Sequence, residues 1–177
     1  MTEYLSTKPD ASEYAEYYGR YIKLVPEGNI LNILETQIDE TLQLVENLND
    51  HQANFRYGDG KWSIKEMVGH ISDTERVFSF RGLCFGRNDK TPLPSFEQNG
   101  YVENGDFDSR SLLDLTDEFR AIRKATLVLF KSFAESVWMR RGTASGFEFT
   151  VRAVAYIISG HELHHRYILK ERYLDLL

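Results

Sequence analysis

The chain has one cysteine, Cys84, in 177 residues, so no internal disulfide can form and a reducing, cytoplasmic setting is expected. Proline is scarce as well, at four residues, which leaves long stretches free of helix breakers. No apolar run approaches the roughly 18 residues of a membrane-spanning helix. The opening MTEYLSTKPDASEYAEYYGRY lacks the basic start and apolar core of a secretory signal. Positive charge is also in deficit, with 21 Lys and Arg against 27 Asp and Glu and a net charge of −6. Phosphate neutralisation needs clustered cations. The expected partner is therefore a small-molecule substrate, with no nucleic acid and no membrane.

What is present is an ordinary globular composition, 42% hydrophobic and 27% charged. The length suits a single domain over residues 1–177. Apolar residues recur at helical spacing in four windows. Ile30, Ile33, Leu34, Ile38, Leu42, Val45 and Leu48 predict a first helix over roughly residues 28–49. KWSIKEMVGH opens a second, with Ser63 and Glu66 as a capping box, Trp62 positioned to staple onto Met67, and Met67, Ile71, Thr74 and Phe78 as its buried stripe. The third starts at Ser109 or Ser111 and carries Leu112, Leu115, Phe119, Ile122, Leu129 and Phe133. The fourth starts at Thr150 and carries Val151, Val154, Ala155, Ile158, His161, His165, Ile168 and Leu169.

No pair of strands alternates at period two, so an all-α four-helix bundle is expected, with a short hairpin possible near VWMRRGTASGFEF. EYAEYYGRYIKLVP predicts a short tyrosine-rich helix ending before Pro26 and packed across one end of the bundle. Its tyrosines could instead line a pocket mouth, or support a homodimer. Gly86 to Asp108 has no helical period and holds Pro92, Pro94, Gly100 and Gly105. So long an irregular connection suits a crossover that travels the bundle's length between parallel helices 2 and 3.

The stretch SGHELHHRYILKERYL holds three histidines within five residues. His161-Glu162-Leu163-His164-His165 satisfies H-E-x-x-H, but the extended protease pattern fails because Ile168 and Glu171 stand where Gly and His are required. What survives is spacing. His161 and His165, one turn apart, share a helix face. His70 lies beside the apolar stripe of helix 2, roughly 10 Å past Ser63, as His165 lies roughly 10 Å before Arg172. If helices 2 and 4 are antiparallel, these groups stand level, which gives an up-down-down-up bundle in agreement with the long crossover. Three imidazoles around one ion leave a position open for water or substrate. The alternative is three hydrogen-bonded core histidines. Asp73 and Glu162 are carboxylates in range to orient the imidazoles, or else solvated charges. His164 projects to the side of its neighbours, His51 falls in an interhelical loop, and Cys84 suits a buried apolar role or a reactive thiol.

YIKLVPEGNIL, GKWSIKEMVGHISDTERVFSFR, PLPSFEQNGYV and TVRAVAYIISGHELHHRYILKERYL together resemble the DinB/YfiT-like superfamily of metal-binding four-helix bundles. The resemblance implies a metal triad at His70, His161 and His165 holding a divalent transition metal (Zn, Ni or Fe). It also implies kinship with bacillithiol- and mycothiol-dependent transferases and isomerases, hence a low-molecular-weight thiol as a second cofactor. The expected function is a metal-dependent enzyme, either a thiol S-transferase or a small-molecule hydrolase. The alternative is a non-catalytic binding module with a structural ion. Phe96, Gln98 and Tyr101 of the crossover are expected in the pocket wall, or as loop anchors.

Overall fold

The computed structural model describes residues 3–177. In chain order the helices are α1 (Gly19–Ile22), α2 (Ile30–Leu42), α3 (Asp50–Ala53), α4 (Ile64–Gly86), α5 (Gln98–Asn104), α6 (Leu112–Lys131) and α7 (Val151–Ile168). A hairpin of β1 (Arg141–Ala144) and β2 (Phe147–Thr150) precedes α7. The four long helices start where short polar side chains replace missing backbone acceptors. Asn29 accepts from Leu31 N, Ser111 from Asp114 N, and Thr150 from Ala153 N. Ser63 accepts from Glu66 N at 3.0 Å while the Glu66 carboxylate takes Ser63 N at 2.7 Å, closing the expected capping box. Among the described residues no helix is long and apolar enough to cross a membrane.

Contacts along the helices fix their directions. Glu75 with Arg123 and Gly82 with Phe130 advance together, so α4 and α6 run parallel. His70 meets His161 while Gly82 meets Val154, so α4 and α7 are antiparallel. Glu35 with Lys131 and Asp39 with Arg120 make α2 antiparallel to α6; Gln37 with Ser159 and Glu40 with Arg166 make it parallel to α7. The order is up-down-down-up, as the sequence predicts.

Three expectations are corrected locally. The first helix does not reach residue 49. After Leu42 the chain tightens into turns, with Val45 N donating to Leu42 O and Leu48 N to Val45 O, both at 3.0 Å, until Asn49 caps α3. Val45 stays buried, so the apolar stripe outlasts the helix. The 86–108 crossover is not wholly irregular: Glu97 accepts from Asn99 N and Gly100 N and starts the two-turn α5. The tyrosine-rich segment does not cap an end of the bundle. It forms a turn over Glu16–Tyr18 and then α1, laid against the middle of α7, where Gly160 has no Cβ to collide with the backbone of Tyr21.

The hairpin lies at residues 141–150, and its two-residue loop is Ser145 (φ 54°) and Gly146 (φ 81°), both left-handed as a tight hairpin turn requires. Leu93 N donates to Thr143 O at 2.9 Å and Ser145 N to Leu93 O at 3.0 Å, fastening the crossover to the hairpin.

The core has two apolar clusters. One gathers Leu34, Phe78, Phe85, Leu127, Phe130, Trp138, Val154 and Ile158; the other gathers Ile38, Met67, Ile71, Phe119, Leu169 and Tyr173. Between them, on all four long helices, lies a buried polar layer of Gln37, Thr41, Glu75, Arg123, Ser159 and Glu162. His70, His161 and His165 are buried at this same level of the bundle.

Candidate metal centre

Seven residues past its cap, α4 presents His70 to α7, where His161 and His165 stand one turn apart. The structure brings all three predicted residues together. His161 Nε2 lies 3.1 Å from His70 Nε2 and 3.1 Å from His165 Nε2, and the ligand-capable nitrogens all fall within 4.8 Å of one another. The rings are held from outside by aromatic contacts. Trp62 lies 4.6 Å from His70, centroid to centroid, and Tyr21 packs edge-on against His161 at 5.4 Å.

Mutual hydrogen bonding does not account for this arrangement. A neutral imidazole nitrogen has either one proton or one lone pair. The single Nε2 of His161 therefore cannot satisfy two facing Nε2 atoms at once. Three imidazole nitrogens bound at about 2.0–2.1 Å to a tetrahedral ion stand about 3.4 Å apart, close to the observed separations. Burial lowers the pKa of each ring, with His70 pushed down to about 4 and His161 and His165 well below the ordinary value. Neighbouring histidine charge adds to the shift. Neutral imidazole is the form that ligates a metal. Among the described residues no fourth His, Cys, Asp or Glu joins the group. His165 Nδ1 is buried without a hydrogen-bond partner.

His161 also forms part of the wall of a cavity of about 320 Å³, shared with Tyr18 and Tyr21 from the N-terminal segment, Thr74 and Phe78 of α4, and Phe96 and Gln98 of the crossover. That volume suits a small molecule. A larger groove of about 700 Å³ runs along the outside of α7 and touches His164 but no member of the triad.

The remaining expectations divide. Phe96 and Gln98 reach the cavity wall; Tyr101 does not, and packs on Phe96 at 5.5 Å. Glu162 neither orients an imidazole nor meets solvent. It turns away from the triad towards α2 and α6, accepting from Thr41 Oγ1 at 2.6 Å and Arg123 Nη2 at 2.7 Å. Asp73 pairs with Arg76 at 3.0 Å, and burial raises its pKa. His164 is half-buried against Tyr21 and His165. His51 is exposed in α3 rather than in a loop, and the partly buried Cys84 thiol is pushed up by desolvation and by Asp89.

Sequence reasoning missed Trp62 as the His70 buttress, assigning it to Met67, and missed Arg81, whose guanidinium lies 4.9 Å over Phe78 in the cavity wall. The signal for Arg81 was its spacing. His70, Thr74, Phe78 and Arg81 recur at helical intervals on one face of α4.

Residues 33–169 match the family model of the DinB superfamily. The chain is 29% identical over 73 residues to a protein of Oceanobacillus iheyensis provisionally named a metal-dependent hydrolase, a match covering 41% of this chain and 42% of that one. The match thus spans less than half of that relative's length. Among solved structures, YfiT from Bacillus subtilis, described as a probable metal-dependent hydrolase with an unusual four-helix bundle topology, superposes with a TM-score of 0.71. The identity is 16%, and the superposition covers 97% of this chain and 94% of that one. The family match runs from the first turn of α2 to the end of α7, and the chain belongs to the DinB superfamily.

Proposed function

We propose that the protein is a metal-dependent hydrolase of a small molecule, with His70, His161 and His165 as the ligands of a divalent transition ion. The observation that carries this reading is the convergence of three buried imidazole Nε2 atoms that one another's hydrogen bonds cannot satisfy. Zn, Ni or Fe held there supplies Lewis-acid chemistry, lowering the pKa of water or of a thiol so that the deprotonated nucleophile exists near neutral pH. The chain's own contribution is positional. Trp62 and Tyr21 fix two of the rings, and the absence of a fourth His, Cys, Asp or Glu ligand among the described residues leaves room for a reactant. The cavity beside His161 places that reactant among tyrosine hydroxyls. Burial holds the Tyr18 and Tyr21 hydroxyls protonated, as hydrogen-bond donors.

The names of the two relatives support hydrolysis, with water as the nucleophile. A low-molecular-weight thiol in its place gives S-transfer at the same centre. Both activities require the ion. Protein purified without chelator or affinity tag is expected to carry about one equivalent of metal by elemental analysis. His161→Ala and His165→Ala are each expected to lose it while remaining folded by circular dichroism. Wild-type protein that takes up no divalent ion, or a His161→Ala variant that retains a full equivalent, overturns the reading. Turnover of ester, amide and alkyl-halide panels with and without added thiols then separates hydrolase from transferase.

A further inference from the structure

The protein has three buried arginines among the described residues, and they are not treated alike. Arg123 pairs with Glu75 and Glu162, and Arg152 pairs with Glu13. Arg81 is 2% exposed and pairs with neither Asp nor Glu. Its Nη2 donates to Pro94 O at 2.9 Å and Ser145 Oγ at 3.2 Å, the Tyr18 hydroxyl is a third neutral oxygen beside the guanidinium, and Nη1 is buried with no well-formed hydrogen bond. A guanidinium withdrawn from water without a counter-charge is costly. Folding gains little from leaving it so.

The position of Arg81 gives that charge a use. Ser145, Phe78 and Phe96, which surround its guanidinium, all line the cavity that His161 lines. Thr74, on the same wall, has a buried hydroxyl that is also unpartnered. Along α4, Arg81 stands eleven residues beyond His70, about 16 Å at 1.5 Å per residue. The cavity therefore has His161 in its wall towards one end, the unpartnered Thr74 hydroxyl one turn along α4 from His70, and, directly behind Phe78, Phe96 and Ser145 at the other end, a guanidinium with no counter-charge. Glu97 lines the same space, but it is exposed, and its carboxylate is occupied by Asn99 N at 3.1 Å and Gly100 N at 2.6 Å.

We propose that Arg81 is a substrate-binding residue that takes an oxyanion, a carboxylate or phosphate, borne by the substrate at the end remote from the bond that is attacked. A bidentate guanidinium–oxyanion contact is both strong and directional. Together with the Thr74 and Ser145 hydroxyls it orients the molecule and sets the distance from the anion to the triad. The substrate's orientation rests on the metal-dependent reading above; the anion site itself does not.

The experiment uses full-length, metal-free protein, so that the anion cannot bind at an ion. Inorganic phosphate and succinate are titrated by calorimetry at constant ionic strength, with chloride as the control. Saturable binding is expected for wild-type protein, weakened about tenfold or more in Arg81→Met and less in Arg81→Lys, which keeps the charge but not the fork. Lys170→Ala, in the outer groove, is expected to bind as wild type does. Equal affinity in wild type and Arg81→Met overturns the proposal, as does an equal loss in Lys170→Ala. So does an adventitious pattern in which chloride competes as well as phosphate. Should Arg81→Met fail to fold, the Arg81 Nε–H resonance of wild-type protein decides: a saturable shift with phosphate supports the site, and an unmoved resonance sinks it. Zinc titration of the same variants keeps the two readings apart. Protein that binds zinc but no phosphate loses the anion anchor alone, and protein that binds phosphate but no divalent ion loses the metal centre alone.

Discussion

Arg123 shows how far one side chain determines this interior. Its Nε and Nη2 take both oxygens of Glu75 at 2.9 and 2.7 Å, Nη2 also reaches Glu162 at 2.7 Å, and Nη1 donates to Leu34 O at 2.8 Å. One residue thus joins α2, α4, α6 and α7. Burial works against its charge, but Glu162 and Glu75 more than compensate and raise its pKa. The layer holds two carboxylates and one guanidinium, so removing the cation strands two negative charges. Arg123→Met is expected to cost about 3–5 kcal/mol of stability, read from urea unfolding at neutral pH. The double variant Arg123→Met/Glu75→Gln should recover part of that loss. A loss below about 1 kcal/mol would show that the carboxylates do not depend on Arg123. None of this layer was legible in the sequence. Arg123 and Glu75 carry no signal of their own in the sequence, and Glu162 reads as an imidazole-orienting carboxylate or a solvated charge, because a periodicity of apolar residues says nothing about which polar ones are enclosed. Glu162 was misassigned for a further reason: its neighbour in the chain is a triad histidine, yet successive residues on a helix point about 100° apart.

Among the elements, the long helices were the legible part, since each begins with its own signal. Ser63 with Glu66, Ser111 and Thr150 mark their starts by local hydrogen bonding that needs no tertiary context. The misread boundaries are those set from elsewhere. The end of α2 has neither proline nor glycine to announce it, and α5 is started by Glu97, an unusual cap, inside a stretch rich in helix breakers. The position of α1 depends on a contact that only the fold reveals. A Cβ at Gly160 would lie 2.2 Å from Tyr21 O and 2.5 Å from Tyr21 C, which are backbone atoms that cannot rotate away. Gly160→Ala must push α1 off α7, carrying Tyr21 with it. The expected cost is about 1–3 kcal/mol, as for overpacking elsewhere, despite the better helix propensity of alanine. Gly100→Ala in α5 meets only the tip of the Glu97 side chain, at 3.4 Å, and should be neutral or stabilising. Thermal denaturation of the two variants side by side checks this; equal melting temperatures would refute the close approach of α1.

For the whole molecule, burying three neutral histidines at one level of the bundle makes the metal-free fold sensitive to acid. Burial lowers all three pKa values in the folded state, His70 to about 4, whereas the unfolded chain titrates near about 6.5. Between those limits the unfolded state binds more protons than the folded one. Stability is therefore full above about pH 6.5 and drains as pH falls towards about 4, by up to about 1.4 kcal/mol per pH unit for each histidine involved. Glu13 and Glu118, whose pKa values are lowered by their arginine partners against the opposing effect of burial, add their own losses only below the usual carboxylate range. Asp73, whose pKa burial raises, acts in the opposite sense, since its protonation favours the folded state as pH falls, so the loss of stability between about 6.5 and 4.5 belongs to the histidines. His164, also lowered, contributes a smaller share. Urea midpoints of metal-free protein should fall across this window and stay nearly flat in a His70→Asn/His161→Asn/His165→Asn variant, which keeps, of the histidines whose pKa the fold lowers, only His164. Saturating zinc, at about a hundred times its Kd, should add about 2.7 kcal/mol to the wild type near pH 7 and nothing to the triple variant. That increment should itself vanish with acid, because protons and the ion compete for the same nitrogens. Parallel midpoint curves for the two metal-free proteins would mean that the triad is not held neutral by the fold, and would remove the electrostatic reason for expecting a cation among these rings.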